Sequence, residues 1–183
     1  SADGNTAIVG GVNDNGYKGA VWVYTRNGNT WSQQGNKLVG TDAVGAAEQG
    51  WSVSMSADGN TAIVGGRGDN ASAGAAWIYT RNGTTWSQQG DKLVGTGAIG
   101  TAYQVWSVSM SADGNTALIG GPEDDSGIGA AWIYTRSGTS WIQQGDKLVG
   151  TDAIGAAYQG WSVSMSADGN TVIVGGYGDA SNT

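Results

Sequence analysis

The chain has 183 residues with 15 acidic and 8 basic side chains, which gives a formal net charge of −7 at pH 7. Such an acidic surface repels nucleic acid and anionic lipid, because binding either of them requires a basic face. Histidine and cysteine are absent, which excludes Ser-His-Asp and Cys-His nucleophiles and the usual zinc sites. No stretch approaches the length of an apolar membrane span. We therefore expect a non-enzymatic protein with no nucleic-acid partner and no membrane insertion.

The sequence repeats itself with a period of 55 residues. The stretch SADGNTAIVGG begins at Ser1 and at Ser56, and near-identical copies begin at Ser111 and Ser166. The stretch GAVWVYTRNGNTWSQQGNKLVG begins at Gly19, and near-identical copies begin at Gly74 and Gly129. A period of this length is typical of arrays in which each repeat is one small structural unit.

Within one repeat, the pattern predicts four short strands. WSVSM at 51–55 alternates large apolar and polar residues, 61–65 is a short apolar run, and 75–80 alternates again. Asn82 and Gly83 then predict a type I′ hairpin turn, from which a last strand returns over 84–93. Glycine occupies 34 of the 183 positions and no apolar 3.6-residue pattern persists, so helices are not expected.

Four short antiparallel strands per repeat favour an all-β fold, a β-propeller built from four-stranded antiparallel blades. The alternative is a right-handed β-helix, but its repeats are shorter and lack hairpin turns. We place a partial blade of three strands at 1–49, full blades at 50–104 and 105–159, and a partial blade of two strands at 160–183. These about 3.3 blades fall short of the roughly four to eight that close a ring. We therefore expect a homo-oligomer, in which a partner chain completes the ring, or a part of a longer chain.

The stretch WSVSMSADGNTALIGGP at 106–122, followed by GAAWIYTR at 129–136, resembles the FG-GAP repeat. That repeat forms the blades of integrin α-subunit propellers and occurs in many bacterial surface and secreted proteins. The resemblance covers every repeat of the chain. It implies a β-propeller in an extracellular or cell-surface location, with a function in adhesion.

The sequence departs from the FG-GAP pattern in two places that matter for function. Glutamine replaces the phenylalanine of the Phe-Gly pair, as at Gln49 and Gln104. The calcium loop of integrin-type blades is missing, because the corresponding turn offers only Ser56, Asp58 and Asn60. Calcium takes six to eight oxygen ligands, so we expect no metal at this turn and no other cofactor.

The repeats differ mainly in one seven-residue window, which connects the second predicted strand to the third. It reads VNDNGYK at 12–18, RGDNASA at 67–73, PEDDSGI at 122–128 and YGDASNT at 177–183. Only its aspartate is constant, at Asp14, Asp69, Asp124 and Asp179. This aspartate is interpreted either as an Asx-turn residue that bonds its own loop or as a ligand-binding group. Because only the aspartate recurs, we interpret the Arg-Gly-Asp of the second window as a chance tripeptide.

The connections between repeats should emerge on the same face of a propeller as these windows. They contribute further carboxylates and tyrosines, so we take this face as the candidate binding face. The predicted ligand-binding residues are Asp14, Asp69, Asp124, Asp125, Asp152, Asp179, Tyr103 and Tyr158. The nine tryptophans of the chain are interpreted as packing between blades or as sugar-stacking platforms.

Three functions remain open at this point. The first is a recognition or adhesion module that presents loops to a protein or glycan at the cell surface. The second is a lectin-like propeller with one weak carbohydrate site per blade. The third is a polysaccharide-cleaving enzyme in which Glu123, Asp124 and Asp125 act as acid and base, but a solvated acidic loop explains these residues better, because nothing nearby in the sequence separates their pKa values.

Overall fold

In a computed structural model, residues 1–178 are described as four antiparallel sheets that follow one another along the chain. The first sheet contains β1 (Thr6–Gly11), β2 (Ala20–Asn27) and β3 (Thr30–Gln33). The second contains β4 (Gln49–Met55), β5 (Thr61–Gly66), β6 (Ala75–Asn82) and β7 (Thr85–Gln88). The third contains β8 (Ser107–Met110), β9 (Thr116–Gly121), β10 (Ala130–Ser137) and β11 (Ser140–Gln143). The fourth contains β12 (Ser162–Met165) and β13 (Val172–Gly175).

This order of three, four, four and two strands is the one that the sequence pattern predicts. In each full sheet the strands lie side by side in chain order, so every neighbour is reached by a direct connection. The four sheets do not close into a ring over the described residues. The protein is therefore all-β, with several antiparallel sheets in succession.

The apolar run of each repeat becomes a strand that is buried on both sides. In β5, Ala62, Ile63 and Val64 are all 0% exposed. One face of the strand contributes to the core between the first and second sheets, and the other to the core between the second and third. This explains why the run shows no alternation of apolar and polar residues.

The two cores between successive sheets are built in the same way. Trp77 and Tyr79 of β6 pack towards the first sheet, and Trp132 and Tyr134 of β10 pack towards the second. The four side chains are at most 4% exposed. Burial raises the pKa of both tyrosine hydroxyls well above its ordinary value, and neither hydroxyl has a hydrogen-bond partner among the described residues.

Adjacent sheets approach each other to backbone contact. The hydroxyl of Ser52 donates a hydrogen bond to the carbonyl oxygen of Val105 (2.6 Å), and Ser107 makes the equivalent bond to Gly160 (2.9 Å). A Cβ atom on Gly120 would lie only 2.2 Å from the Gly160 carbonyl oxygen. Glycine is therefore required at this position of β9, because the next sheet leaves no room for a side chain.

The hairpin turn and the last strand differ from their predicted forms. Asn82 pairs with Thr85, so the loop residues are Gly83 and Thr84, and only Gly83 has a positive φ (61°). This is the pattern of a type II′ turn and not of type I′. The last strand covers only Thr85–Gln88, and Leu93 adds a single bridge to Ala76.

The glutamine at the position of phenylalanine in the FG-GAP pattern forms hydrogen bonds within the connection between sheets. Gln49 is 0% exposed, and its side-chain oxygen accepts a hydrogen bond from the Gly40 amide (2.6 Å). Gln104 makes the same bond with the Gly95 amide (2.6 Å). The buried amide side chain thus has a hydrogen-bond partner in the backbone of the adjoining connection. A phenylalanine at this position could not form this bond.

The windows 12–18, 67–73 and 122–128 each form a short helical turn that contains left-handed residues. The turns are α1 (Asp14–Tyr17), α2 (Asp69–Ser72) and α3 (Asp124–Gly127). In α2, the residues Asn70, Ala71 and Ser72 have φ values of 50°, 54° and 69°. The expectation that helices are absent is thus wrong for these three turns. They include left-handed residues other than glycine, which the glycine content and the apolar periodicity of the sequence do not predict.

Candidate functional site

The variable windows and the connections between sheets lie at the same end of the sheets. Antiparallel pairing within the sheets, together with the bridge from Gly19 to Gln49, brings the windows 12–18, 67–73 and 122–128 to the end at which β4, β8 and β12 begin. The connections 34–48, 89–106 and 144–161 reach this end as well. We call it the loop end. The opposite turn end carries the SADGN turns and the hairpin turns.

In the second and third windows, the constant aspartate is buried and connects its window to neighbouring elements. The Asp69 carboxylate is 0% exposed and accepts hydrogen bonds from the Val44 amide (2.6 Å) and from the ammonium group of Lys92 (2.6 Å). Asp124 is also 0% exposed and pairs with Lys147. Neither carboxylate is presented to solvent. Their side-chain hydrogen bonds go to residues outside their own window, which is not the pattern of an Asx turn.

The other predicted carboxylates have different surroundings. Asp14 pairs with Lys37 at the partly exposed edge of the first sheet. Asp125 is half-buried and lines a cavity of about 790 Å³, and the exposed Asp152 lines an adjacent one of about 390 Å³. The two cavities share residues of the 150–153 segment. Asp179 lies outside the described residues.

Three tryptophans form a row across the loop end. The ring centroids of Trp51 and Trp106 are 5.1 Å apart, and those of Trp106 and Trp161 are 4.6 Å apart. Each tryptophan stands at the start of a sheet, 55 residues after the previous one. Trp161 is 40% exposed, and the other two are half-buried. The row is therefore accessible as well as packed.

Tyrosines extend this row, and two of them are residues that the sequence predicts. Tyr103 meets Trp106 edge-on with a centroid distance of 6.5 Å. Tyr158 stacks on Tyr177 at 4.7 Å with an interplanar angle of 4°, and Tyr177 also meets Trp161 edge-on at 4.7 Å. Tyr177 is 62% exposed. We define the aromatic cluster as the following residues: Trp51, Trp106, Trp161, Tyr103, Tyr158 and Tyr177.

Arg67 packs against one side of the aromatic cluster. The guanidinium carbon of Arg67 lies 3.4 Å from the ring centroid of Trp51 and 5.0 Å from that of Trp106. Its Nε also donates to the Glu48 carboxylate (2.8 Å). With Arg67 stacked and paired and Asp69 fully buried, the Arg-Gly-Asp tripeptide is not presented as a free ligand motif.

The tryptophan row, Arg67 and Tyr177 were not among the predicted site residues. The alternation in WSVSM predicts that the tryptophan lies on the core face of its strand. It does not predict that this tryptophan contacts the equivalent tryptophan of the next repeat. A comparison of the repeats nevertheless contains a signal for Arg67 and Tyr177, because two positions change together. The pair Glu48 and Arg67 of one repeat becomes Tyr158 and Tyr177 two repeats later, and each pair is in direct contact.

The turn end holds its own aspartates in closed networks. The Asp58 carboxylate accepts hydrogen bonds from the Ser56 hydroxyl (2.5 Å) and from the Asn60 amide and side chain (2.9 Å each). The same arrangement recurs around Asp3, Asp113 and Asp168. Among residues 1–178, no group of three or more acidic side chains is placed to hold a metal ion.

Comparison with known proteins adds no identification. No protein-family model matches the sequence, and no curated protein matches it significantly. The similarity to FG-GAP repeats therefore rests on the motifs alone. In the described part of the chain, no helix is long and apolar enough to cross a membrane.

Proposed function

We propose that this chain is a non-enzymatic recognition module that binds a protein or glycan partner through its loop end, at the cell surface or outside the cell. The observation that carries the proposal is where the repeats differ. The windows 67–73 and 122–128 differ at six of seven positions, whereas β5 and β9 differ at two of six. Variable loops on a uniform scaffold are typical of binding surfaces.

We further propose that the sheets are blades of a β-propeller and that additional sheets complete it. Val9 in the first sheet is 50% exposed and Ile173 in the fourth is 70% exposed, whereas the equivalent Val64 and Ile63 are 0% exposed. The outer faces of the terminal sheets thus carry residues that the inner sheets bury. Partner chains or further repeats of a longer chain would cover them.

The aromatic cluster favours a second candidate function, a lectin-like module. Trp161 and Tyr177 offer exposed ring area, on which the apolar face of a sugar can stack. Asp125 adds a half-buried carboxylate at the same end. Several such sites on one array would raise a weak single-site affinity by avidity.

A window exchange tests the loop end. Residues 122–128 are replaced by the sequence of 67–73, and binding is measured on a glycan array and on immobilised fibronectin, collagen and laminin. Both windows form the same turn, so the melting temperature should remain unchanged while binding falls roughly tenfold. Binding that is unchanged by the exchange would contradict a role for the windows.

Two point variants separate the candidate functions. In Trp161→Ala and Tyr177→Ala, glycan binding at the loop end should be lost if the lectin-like function is correct. The variant Ile142→Ala, at a position on β11 that is 59% exposed, serves as the surface control and should bind normally. Binding to a protein probe with no glycan signal would leave the adhesion function and reject the lectin-like one.

A further inference from the structure

Two equivalent cavities lie between the outermost segments of adjacent sheets. The first, of about 420 Å³, lies between residues 34–38 and 84–86. The second, of about 340 Å³, lies between residues 89–93 and 139–141. Every lining residue of the second is the 55-residue equivalent of one in the first. We call them the inter-sheet grooves, and they share no residue with the aromatic cluster.

Each inter-sheet groove has a tryptophan as one wall. The Nε1 of Trp86 donates a hydrogen bond to the side-chain oxygen of Gln34 (2.9 Å), and Trp141 makes the same bond to Gln89 (3.0 Å). The guanidinium carbon of Arg81 lies 5.6 Å from the centroid of the Trp86 ring. These contacts hold the indole in one orientation before any ligand arrives, which reduces the entropy lost on binding.

Apart from one paired lysine each, the polar groups of the grooves are uncharged or acidic. In the first groove, Asn36 and Thr84 are exposed, and in the second their places are taken by Asp91 and Thr139. No side-chain hydrogen bond of these four residues is found in the described part of the chain. The lysine that lines each groove is already paired, Lys37 with Asp14 and Lys92 with Asp69.

We propose that each inter-sheet groove binds one monosaccharide unit of a glycan. A pyranose has an apolar C–H face that packs on an indole ring, and hydroxyl groups that both donate to and accept from amide, hydroxyl and carboxylate side chains. An anionic ligand does not fit, because the lysines are neutralised by aspartates and the second groove adds a free carboxylate. Both volumes fall in the range of small-molecule sites. The inference does not depend on the function of the loop end.

The stoichiometry of monosaccharide binding tests the proposal. The full chain is titrated with glucose, galactose, mannose, fucose and N-acetylglucosamine, with binding followed by ligand-observed NMR and calorimetry. We expect one of these sugars to bind weakly at two sites per chain. The exposed residues Asn36 and Asp91 are then changed to tryptophan to fill one groove each. Each single variant should reduce the stoichiometry from two to one, and the double variant should abolish binding.

Three further variants complete the experiment. Ser87→Trp places the same bulk beside Trp86 on the exposed opposite face of β7, so two sugars should still bind. Trp141→Ala removes one stacking wall and should weaken one site at least about tenfold, with circular dichroism to confirm folding. Trp161→Ala alters only the loop end and should leave both groove sites intact. Binding of none of the five sugars, or two sites retained in the double variant, overturns the proposal.

Discussion

At the scale of the residue, the second variable window holds three consecutive residues other than glycine in left-handed backbone. Ala71 has a φ of 54° between Asn70 and Ser72, which are left-handed as well. L-residues other than glycine lose roughly 1–2 kcal/mol in this conformation. The first repeat has Gly16 at the position of Ala71, so the turn itself accepts glycine there.

Ala71→Gly should therefore stabilise the protein. Relief of the left-handed strain outweighs the greater flexibility of the unfolded chain, and we expect the free energy of unfolding to rise by about 0.5–1 kcal/mol. Chemical denaturation measures it. The matched control is Ala73→Gly, because Ala73 has a right-handed φ of −60°. Ala73→Gly should lower the free energy of unfolding by about 0.5–1 kcal/mol. Equal effects of the two variants would contradict the assignment of strain to Ala71.

At the scale of the element, the SADGN turn shows how a short motif closes on itself. Serine and asparagine side chains surround the aspartate of each turn, and the asparagine also accepts a hydrogen bond from an arginine of the third strand, as between Asn60 and Arg81 (2.9 Å). All these residues lie within the repeat, so the sequence predicted the turn directly. The sequence did not predict the type of the hairpin turn. Asn-Gly favours a type I′ turn when these two residues form the loop, but the strand register places Gly83 and Thr84 in the loop.

The turn network predicts a loss of stability in acid. The hydrogen bond from the Ser1 hydroxyl lowers the pKa of Asp3 to about 2, and the Ser111 and Ser166 hydroxyls lower the pKa of Asp113 and Asp168 in the same way. An unfolded aspartate titrates near pH 3.9. The folded state thus favours the ionised carboxylates, and this stabilisation is complete above about pH 4 and lost as the pH falls towards about 2.

Urea denaturation over this pH range measures the effect. The free energy of unfolding should be constant down to about pH 4 and then fall. In Ser111→Ala, the pKa of Asp113 should rise towards its ordinary value, which NMR titration of the carboxyl group detects. A pKa of Asp113 that does not change in this variant would contradict the assigned cause.

At the scale of the whole molecule, the described sheets are held together by buried polar ties as well as by apolar cores. Asp69 joins the window of the second sheet to the connection that leaves the first, and to Lys92 beyond its own last strand. Trp77 adds a hydrogen bond from its Nε1 to Asp42 (2.7 Å). Such ties depend on neighbouring sheets, which explains why the sequence pattern did not reveal the partners of Asp69.

Removal of this tie should be costly. Asp69→Ala leaves a mostly buried ammonium group without its partner, and we expect the free energy of unfolding to fall by about 3 kcal/mol. Asp14→Ala is the control, because Asp14 and Lys37 have side chains that are 24% and 41% exposed. It should lose less than about 1 kcal/mol. Thermal and urea denaturation compare the two, and equal losses would show that burial is not the cause.

The sequence by itself determined the 55-residue repeat, the number and order of strands, the closed turns and the end of the sheets at which variation collects. These features depend on residues close together in the chain, where periodicity and turn chemistry act. The tertiary structure decided which side chains remain accessible. The burial of Asp69 depends on Val44, 25 residues away, and the aromatic cluster depends on contacts between tryptophans 55 residues apart. Local patterns carry no information about contacts at such separations, because packing of one sheet on the next creates them.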